Sequence, residues 1–241
     1  ISVLINFVMY WYSDRMVLAM TRAKPVSEAD MPDVYRTVRN LATRMQLPVP
    51  KLYVIPMEAP NAFATGRNPE HSVVAVSPSI VELLTKHELE AVLAHELSHI
   101  KNRDMLTATL AATMAQVIMF LADMARFAAI FGGSREGDDG PNPLVLILVS
   151  IVAVFAAILI KMAISRSREY AADSGAGFVT NRPMALVSAL EKLSNYAKEM
   201  PVKKEAPSAA HLFIVNPYRE SFIVNMFSTH PSLSRRTENL K

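Results

Sequence analysis

Two histidines four residues apart, His95 and His99, enclose the glutamate Glu96. On a helix, side chains at i and i+4 leave the same face one turn apart, so both imidazoles can converge on one ion. Glu96 is rotated about 100° from His95, too far to share that coordination point but near enough to touch a water on the metal. The pattern predicts hydrolytic zinc chemistry. Zn2+ brings the pKa of a bound water to about 7 and polarises a peptide carbonyl, while Glu96 serves as general base. No covalent intermediate with the protein is needed.

A catalytic zinc takes three protein ligands and keeps one position for water, so a third donor is required. Cysteine is excluded because the chain has none. The sequence from Asn102 to Thr109 holds no histidine, which argues against the metzincin extension with a third histidine. A carboxylate on a second helix remains. Arg168-Glu169-Tyr170-Ala171-Ala172-Asp173 places Glu169 and Asp173 one helical turn apart. One can ligate the metal while the other orients a ligand histidine through its second ring nitrogen. We take Glu169 as the ligand and Asp173 as the orienting carboxylate.

These residues need helices to hold them. Thr85-Lys86-His87-Glu88 reads as a capping box that opens the motif helix. Upstream, Val34, Val38, Leu41, Ala42 and Met45 fall on one face of an amphipathic helix closed by Pro48 and Pro50. Lys51 to Ile55 and His71 to Ser77 are rich in strand formers, with Asn61 to Gly66 as a third strand between them. Ser77-Pro78-Ser79 starts a short helix.

Downstream of the motif, Met105 to Phe131 is mainly Ala, Met, Leu and Phe, interrupted by Gln116, Asp123 and Arg126. Leu144 to Ile160 is uninterrupted, and with a snorkelling Lys161 it extends to Ile164, about long enough to span a bilayer. The segment between, Gly132 to Pro141, is acidic and turn-like. Lys101, Arg103, Lys161, Arg166 and Arg168 gather at the other ends of the two runs. The positive-inside rule then puts the hairpin tip outside and the rest in the cytoplasm. His99 lies seven residues before Leu106 and Glu169 five after Ile164, so if both helices run on, each ligand is within roughly 10 Å of the apolar boundary. The apolar stretch from Ile1 to Tyr12 reads as the end of a membrane helix that begins before Ile1.

Expected domains are a juxtamembrane segment over 1–22, a first protease part over 23–104, a transmembrane hairpin over 105–164 and a second protease part over 165–241. A charged, proline-containing linker runs from Lys198 to Pro207 and could cover the cleft. Of the 241 residues 51% are hydrophobic and only seven are glycine, which favours a mainly helical, partly membrane-embedded chain. The net charge of +3 is scattered along the chain, giving little support to nucleic-acid binding. Absence of cysteine also rules out a disulfide framework and a thiol nucleophile.

Across almost its whole length the sequence resembles the HtpX-type membrane zinc metalloproteases, relatives of the CAAX prenyl endopeptidases. The resemblance rests on Asn61 to Gly66, on Glu90 to His99, on Arg168 to Asp173, and on Thr229-His230-Pro231 with Arg236. It implies a gluzincin-like protease domain, mainly α with a small β-sheet, interrupted by the helical hairpin. One Zn2+ would sit on His95, His99 and Glu169, with Glu96 as base. Two roles come from the resemblance alone. His230 and Arg236 would stabilise the oxyanion. The strand carrying Val74, Ala75 and Val76 would be the edge that receives an extended substrate, with Asn61 and Ala62 nearby. Implied substrates are misfolded or damaged membrane proteins, cleaved at the cytoplasmic face of the inner (plasma) membrane by a multi-pass protein. Rival readings are a processing protease for membrane or prenylated peptides, and a metal-bound adaptor that does not hydrolyse.

Overall fold

A computed structural model describes residues 2–131, 142–199 and 233–240. Helices α1 (Ser2–Trp11) and α2 (Ser13–Met20) lead into a short strand, β1 (Lys24–Pro25). Helix α3 (Pro32–Met45) starts on a proline, whose missing N–H is harmless in the first turn. It buries Val34, Val38, Leu41, Ala42 and Met45, the face expected from their spacing.

Strands β2 (Lys51–Val54), β3 (Ala62–Thr65) and β4 (Val73–Val76) join β1 in the order β1-β2-β4-β3. β2 and β4 are parallel, with Leu52 opposite Val74; β3 and β4 are antiparallel, with Ala62 opposite Val76. Gly66 leaves β3 at φ 137°, and a Cβ there would stand 2.3 Å from the His71 carbonyl oxygen, so a side chain cannot be fitted.

This topology corrects one expectation. β4 is not an edge: it lies between β2 and β3, and all four of its residues are buried. With ladders on both sides, Val74, Ala75 and Val76 have no free row of backbone groups with which to receive a substrate. Among the described residues the sheet's edges are β1 and β3, and β3 is the one packed beside the motif helix.

Helix α4 (Pro78–Leu83) begins at Ser77, whose Oγ accepts the Ile80 N–H. Helix α5 (Lys86–Lys101) opens with the expected capping box, in which Glu88 Oε2 accepts the Thr85 N–H at 2.8 Å. From Glu88 to Ser98 almost every α5 side chain is buried. Its Leu93 and Leu97 share one core with Leu41 of α3, Val74 of β4, and Leu186 and Leu190 of α8 (Pro183–Glu199). Glu88 also locks α8 in place, accepting from Ser188 Oγ at 2.6 Å and Lys192 Nζ at 2.7 Å. Burial opposes its ionisation, but Lys192, Ser188 and Thr85 bring its pKa down to about 2.

Helices α6 (Asp104–Phe131) and α7 (Pro143–Thr180) are both long and apolar enough to cross a membrane. Their apolar side chains, including Met114, Phe120 and Phe127 on α6 and Leu144, Leu148 and Phe155 on α7, are exposed, as a lipid-facing surface requires. A hairpin hidden in a soluble core would bury them. Asp123 pairs with Arg126 one turn along α6, so the two charges of that run neutralise each other. α1 packs beside α6 through Asn6, which donates to Gln116 Oε1 at 2.7 Å and Thr113 Oγ1 at 3.1 Å.

The two helices that carry the expected ligands meet the hairpin differently. α7 runs unbroken from its apolar half through Glu169 and Asp173. α5 does not run on: it stops at Lys101, and Arg103 at φ 54° redirects the chain before α6. A last described helix, α9 (Leu233–Leu240), packs on α7 and α8 and inserts Leu240 into the core. Lys198 and Glu199 close α8; the rest of the 198–207 linker lies outside the described residues.

Candidate metal centre

α5 directs His95 and His99 toward α7, which brings Glu169 against both. The two Nε2 atoms are 3.1 Å apart, and each lies 3.7 Å from a Glu169 carboxylate oxygen. Tetrahedral zinc with bonds of about 2.0–2.1 Å separates its ligand atoms by about 3.3 Å. The observed spacings bracket that value, so the donor set fits the ion. His95 and Glu169 are buried, whereas His99 is half-buried, leaving one side of the triad toward the cavity.

The far nitrogens are held as firmly. His95 Nδ1 is 2.9 Å from Asp173 Oδ1, and His99 Nδ1 is 2.6 Å from Asp104 Oδ2. A carboxylate at Nδ1 keeps the proton there and turns the Nε2 lone pair to the centre. Asp173 in turn accepts two bonds from Arg236 of α9, from Nε at 2.9 Å and Nη2 at 2.6 Å. Arg236 Nη1 is 3.8 Å from Glu169 Oε2, and Arg168 Nε is 3.6 Å from Asp104.

Charge makes the same point as distance. Four carboxylates, Glu96, Asp104, Glu169 and Asp173, face two guanidiniums, those of Arg168 and Arg236. The carboxylates gathered around the paired imidazoles favour a cation there. Burial resists the imidazolium of His99, yet the Asp104 hydrogen bond and the charges of Glu96 and Glu169 outweigh it and raise its pKa. Burial likewise opposes the Asp173 carboxylate, which His95 and Arg236 nevertheless hold below the usual range.

Glu96 stands beside the triad, its Oε2 accepting the Ala64 N–H of β3 at 3.0 Å. That bond fixes the carboxylate and ties the motif helix to the sheet edge. The close approach of α5 to α7 depends on Gly175, where a Cβ would fall 2.7 Å from Ser98 Oγ. A cavity of about 560 Å³ opens over the centre, bounded by β3, the triad, Glu96 and Arg236, with Met105, Ala108 and Met162 on the hairpin side.

Of the residues singled out in the sequence, His95, Glu96, His99, Glu169, Asp173 and Arg236 converge here. Ala62 lines the cavity; Asn61 is buried, its N–H donating to Ser77 Oγ at 2.9 Å. His230 lies outside the described residues. Asp104 and the Ala64 N–H escaped the reading of the sequence. The one available signal for Asp104 was an acid at the head of an otherwise apolar run.

The profile of Peptidase family M48 matches residues 28–241. The chain belongs to peptidase family M48. The "Protease HtpX homolog" of Syntrophobacter fumaroxidans is 49% identical over 244 residues, covering 100% of this chain and 86% of that protein. The protein of the same description from Thermococcus kodakarensis is 51% identical, covering 100% and 83%. The crystal structure of S. mikatae Ste24p superposes with a TM-score of 0.59 at 20% identity, over 98% of this chain and 58% of that one, a likeness of fold. This M48 chain is a metallopeptidase, with a buried His-His-Glu group suited to its metal and two apolar helices of membrane-crossing length.

Proposed function

We propose that this chain is a zinc-dependent endopeptidase that cuts misfolded or damaged membrane proteins where they emerge at the cytoplasmic face of the inner membrane. The observation that carries the reading is the convergence of two imidazoles and Glu169 within ion-binding distance, with the Glu96 carboxylate beside them. Zinc held by His95, His99 and Glu169 would supply an acidified water and polarise the scissile carbonyl. Glu96 takes the proton from the attacking water and passes it to the leaving amine nitrogen, which keeps atoms and charge in balance. Its bond to Ala64 holds it in place for both transfers.

An extended substrate strand would pair at β3, the sheet edge that borders the cavity, beside the Ala64 N–H that Glu96 holds. There its carbonyls would pass over the metal centre. Arg236 Nη1, the nitrogen not bonded to Asp173, together with His230, would face the oxyanion. Because α7 is one helix from its apolar half to Glu169, the centre stands close to the bilayer surface, and the basic residues flanking the hairpin orient it to the cytoplasm. Flexible segments of unfolded membrane proteins are the polypeptides that reach such a site.

The test compares wild type with Glu96→Gln in detergent, measuring zinc content and cleavage of an unfolded membrane protein. Glutamine can keep the bond to Ala64, so the variant should retain the metal and lose cleavage by about 10²–10⁴-fold. Equal cleavage by both proteins removes Glu96 from the mechanism.

A further inference from the structure

We propose that Asp104, the first residue of α6, is a positioning residue for the metal centre, fixing the His99 imidazole for coordination from the membrane hairpin. The inference rests on the zinc reading above. Asp104 is buried and its carboxylate is directed at His99 Nδ1 across 2.6 Å, with Arg168 on its other side at 3.6 Å.

The break between α5 and α6 makes this contact possible. In an uninterrupted helix residue 104 would lie about 140° round the axis from His99 and could not reach its ring. The two-residue break at Asn102 and Arg103, with Arg103 in the left-handed region at φ 54°, brings Asp104 back under the imidazole. Left-handed residues also close α3 at Gln46 and α7 at Asn181, so the turn is an ordinary helix ending; what sets this one apart is that the acid following it lands on His99. His99 sits in the last turn of α5, so the carboxylate that holds its ring comes from the next helix. A carboxylate that served only to cap α6 would face the first N–H groups of that helix and solvent. This one is turned away from water and onto a ligand.

The arrangement is paired. His95 is held by Asp173 on α7 and His99 by Asp104 on α6, so each leg of the hairpin secures one imidazole, and α7 adds the third ligand. Both apolar helices thereby set the geometry of the metal centre as well as anchoring it.

The test measures zinc dissociation constants in detergent, by competition with a chromophoric chelator, for wild type, Asp104→Asn and Asp104→Ala. Absorption spectra of the cobalt-loaded proteins are recorded alongside. Asp104→Ala should weaken zinc about 10–100-fold and shift the cobalt bands as His99 loosens. Asp104→Asn, which keeps an acceptor for Nδ1–H, should fall between wild type and Asp104→Ala and provides the measurement if the alanine chain does not fold. Affinity and cobalt bands equal to wild type in the variants overturn the proposal, even where their melting temperatures drop, since a purely structural role moves only the latter. A wild type that binds no zinc sinks the parent reading instead.

Discussion

Replacing Arg236 with methionine keeps the apolar length of the side chain and deletes one charge at the centre of the fold. Asp173 then loses two charge-assisted hydrogen bonds, of 2.9 and 2.6 Å, in a place where both partners are almost fully sheltered, at 1% and 3% exposure. Breaking a buried pair from one side costs about 3–5 kcal/mol, because the remaining charge keeps its burial and loses its partner. Asp173 still faces His95 Nδ1, so the loss should fall near the lower end, about 3 kcal/mol. α9 is an eight-residue helix whose other core anchor is Leu240, and it should detach early in unfolding. Denaturant unfolding of the metal-free protein in detergent, followed by circular dichroism, reads the cost without the contribution of a bound metal. Adding Asp173→Asn should then cost less than it does in wild type, with a coupling of about 1–3 kcal/mol in the double-mutant cycle. A single-variant loss below about 1 kcal/mol, or strict additivity, would refute the claim that this pair joins α9 to the metal centre.

Gly175→Ala should cost about 1–3 kcal/mol and weaken zinc binding, because its methyl group meets Ser98 and pushes α7 from α5; Ser98→Gly in the same chain should recover most of both, as read by melting and chelator competition. Glu88 contributes stability fully above its ordinary pKa of 4.5 and loses that contribution as pH falls toward about 2. Glu88→Gln should therefore destabilise by about 2 kcal/mol at pH 7, and the gap should close between pH 4.5 and 2; an equal gap throughout that range disproves the assignment. Gly66→Ala should abolish the turn between β3 and β4, with loss of Glu96 anchoring and of cleavage, whereas a wild-type melting curve for that variant contradicts the steric argument.

Local rules made much of the molecule legible. The spacing of Val34, Val38 and Leu41, the Thr85–Glu88 capping box and the two long apolar runs depend on neighbours within a turn or two. They appear in the structure as the sequence indicates. The candidate metal group was legible for the same reason, since His95 with His99, and Glu169 with Asp173, are each one-turn pairs; which carboxylate faces both Nε2 atoms is seen only in the structure. The strand order was not readable. Val73 to Val76 reads as a strand, but whether such a strand is central or an edge depends on which partners reach it, and β2 arrives in parallel from across a long connection.

The residue types and their spacing thus pointed to the chemistry: two histidines that can share an ion, a glutamate beside them, and a pair of carboxylates on a later helix to complete the set. Tertiary structure alone decided how that chemistry is held. Asp104 reaches His99 only because the chain reverses at Arg103, Arg236 reaches Asp173 from 63 residues away, and Ala64 offers Glu96 an N–H only because β3 takes the sheet edge. Helical periodicity fixes neighbours along the chain, whereas these contacts depend on where separate elements come to rest against one another.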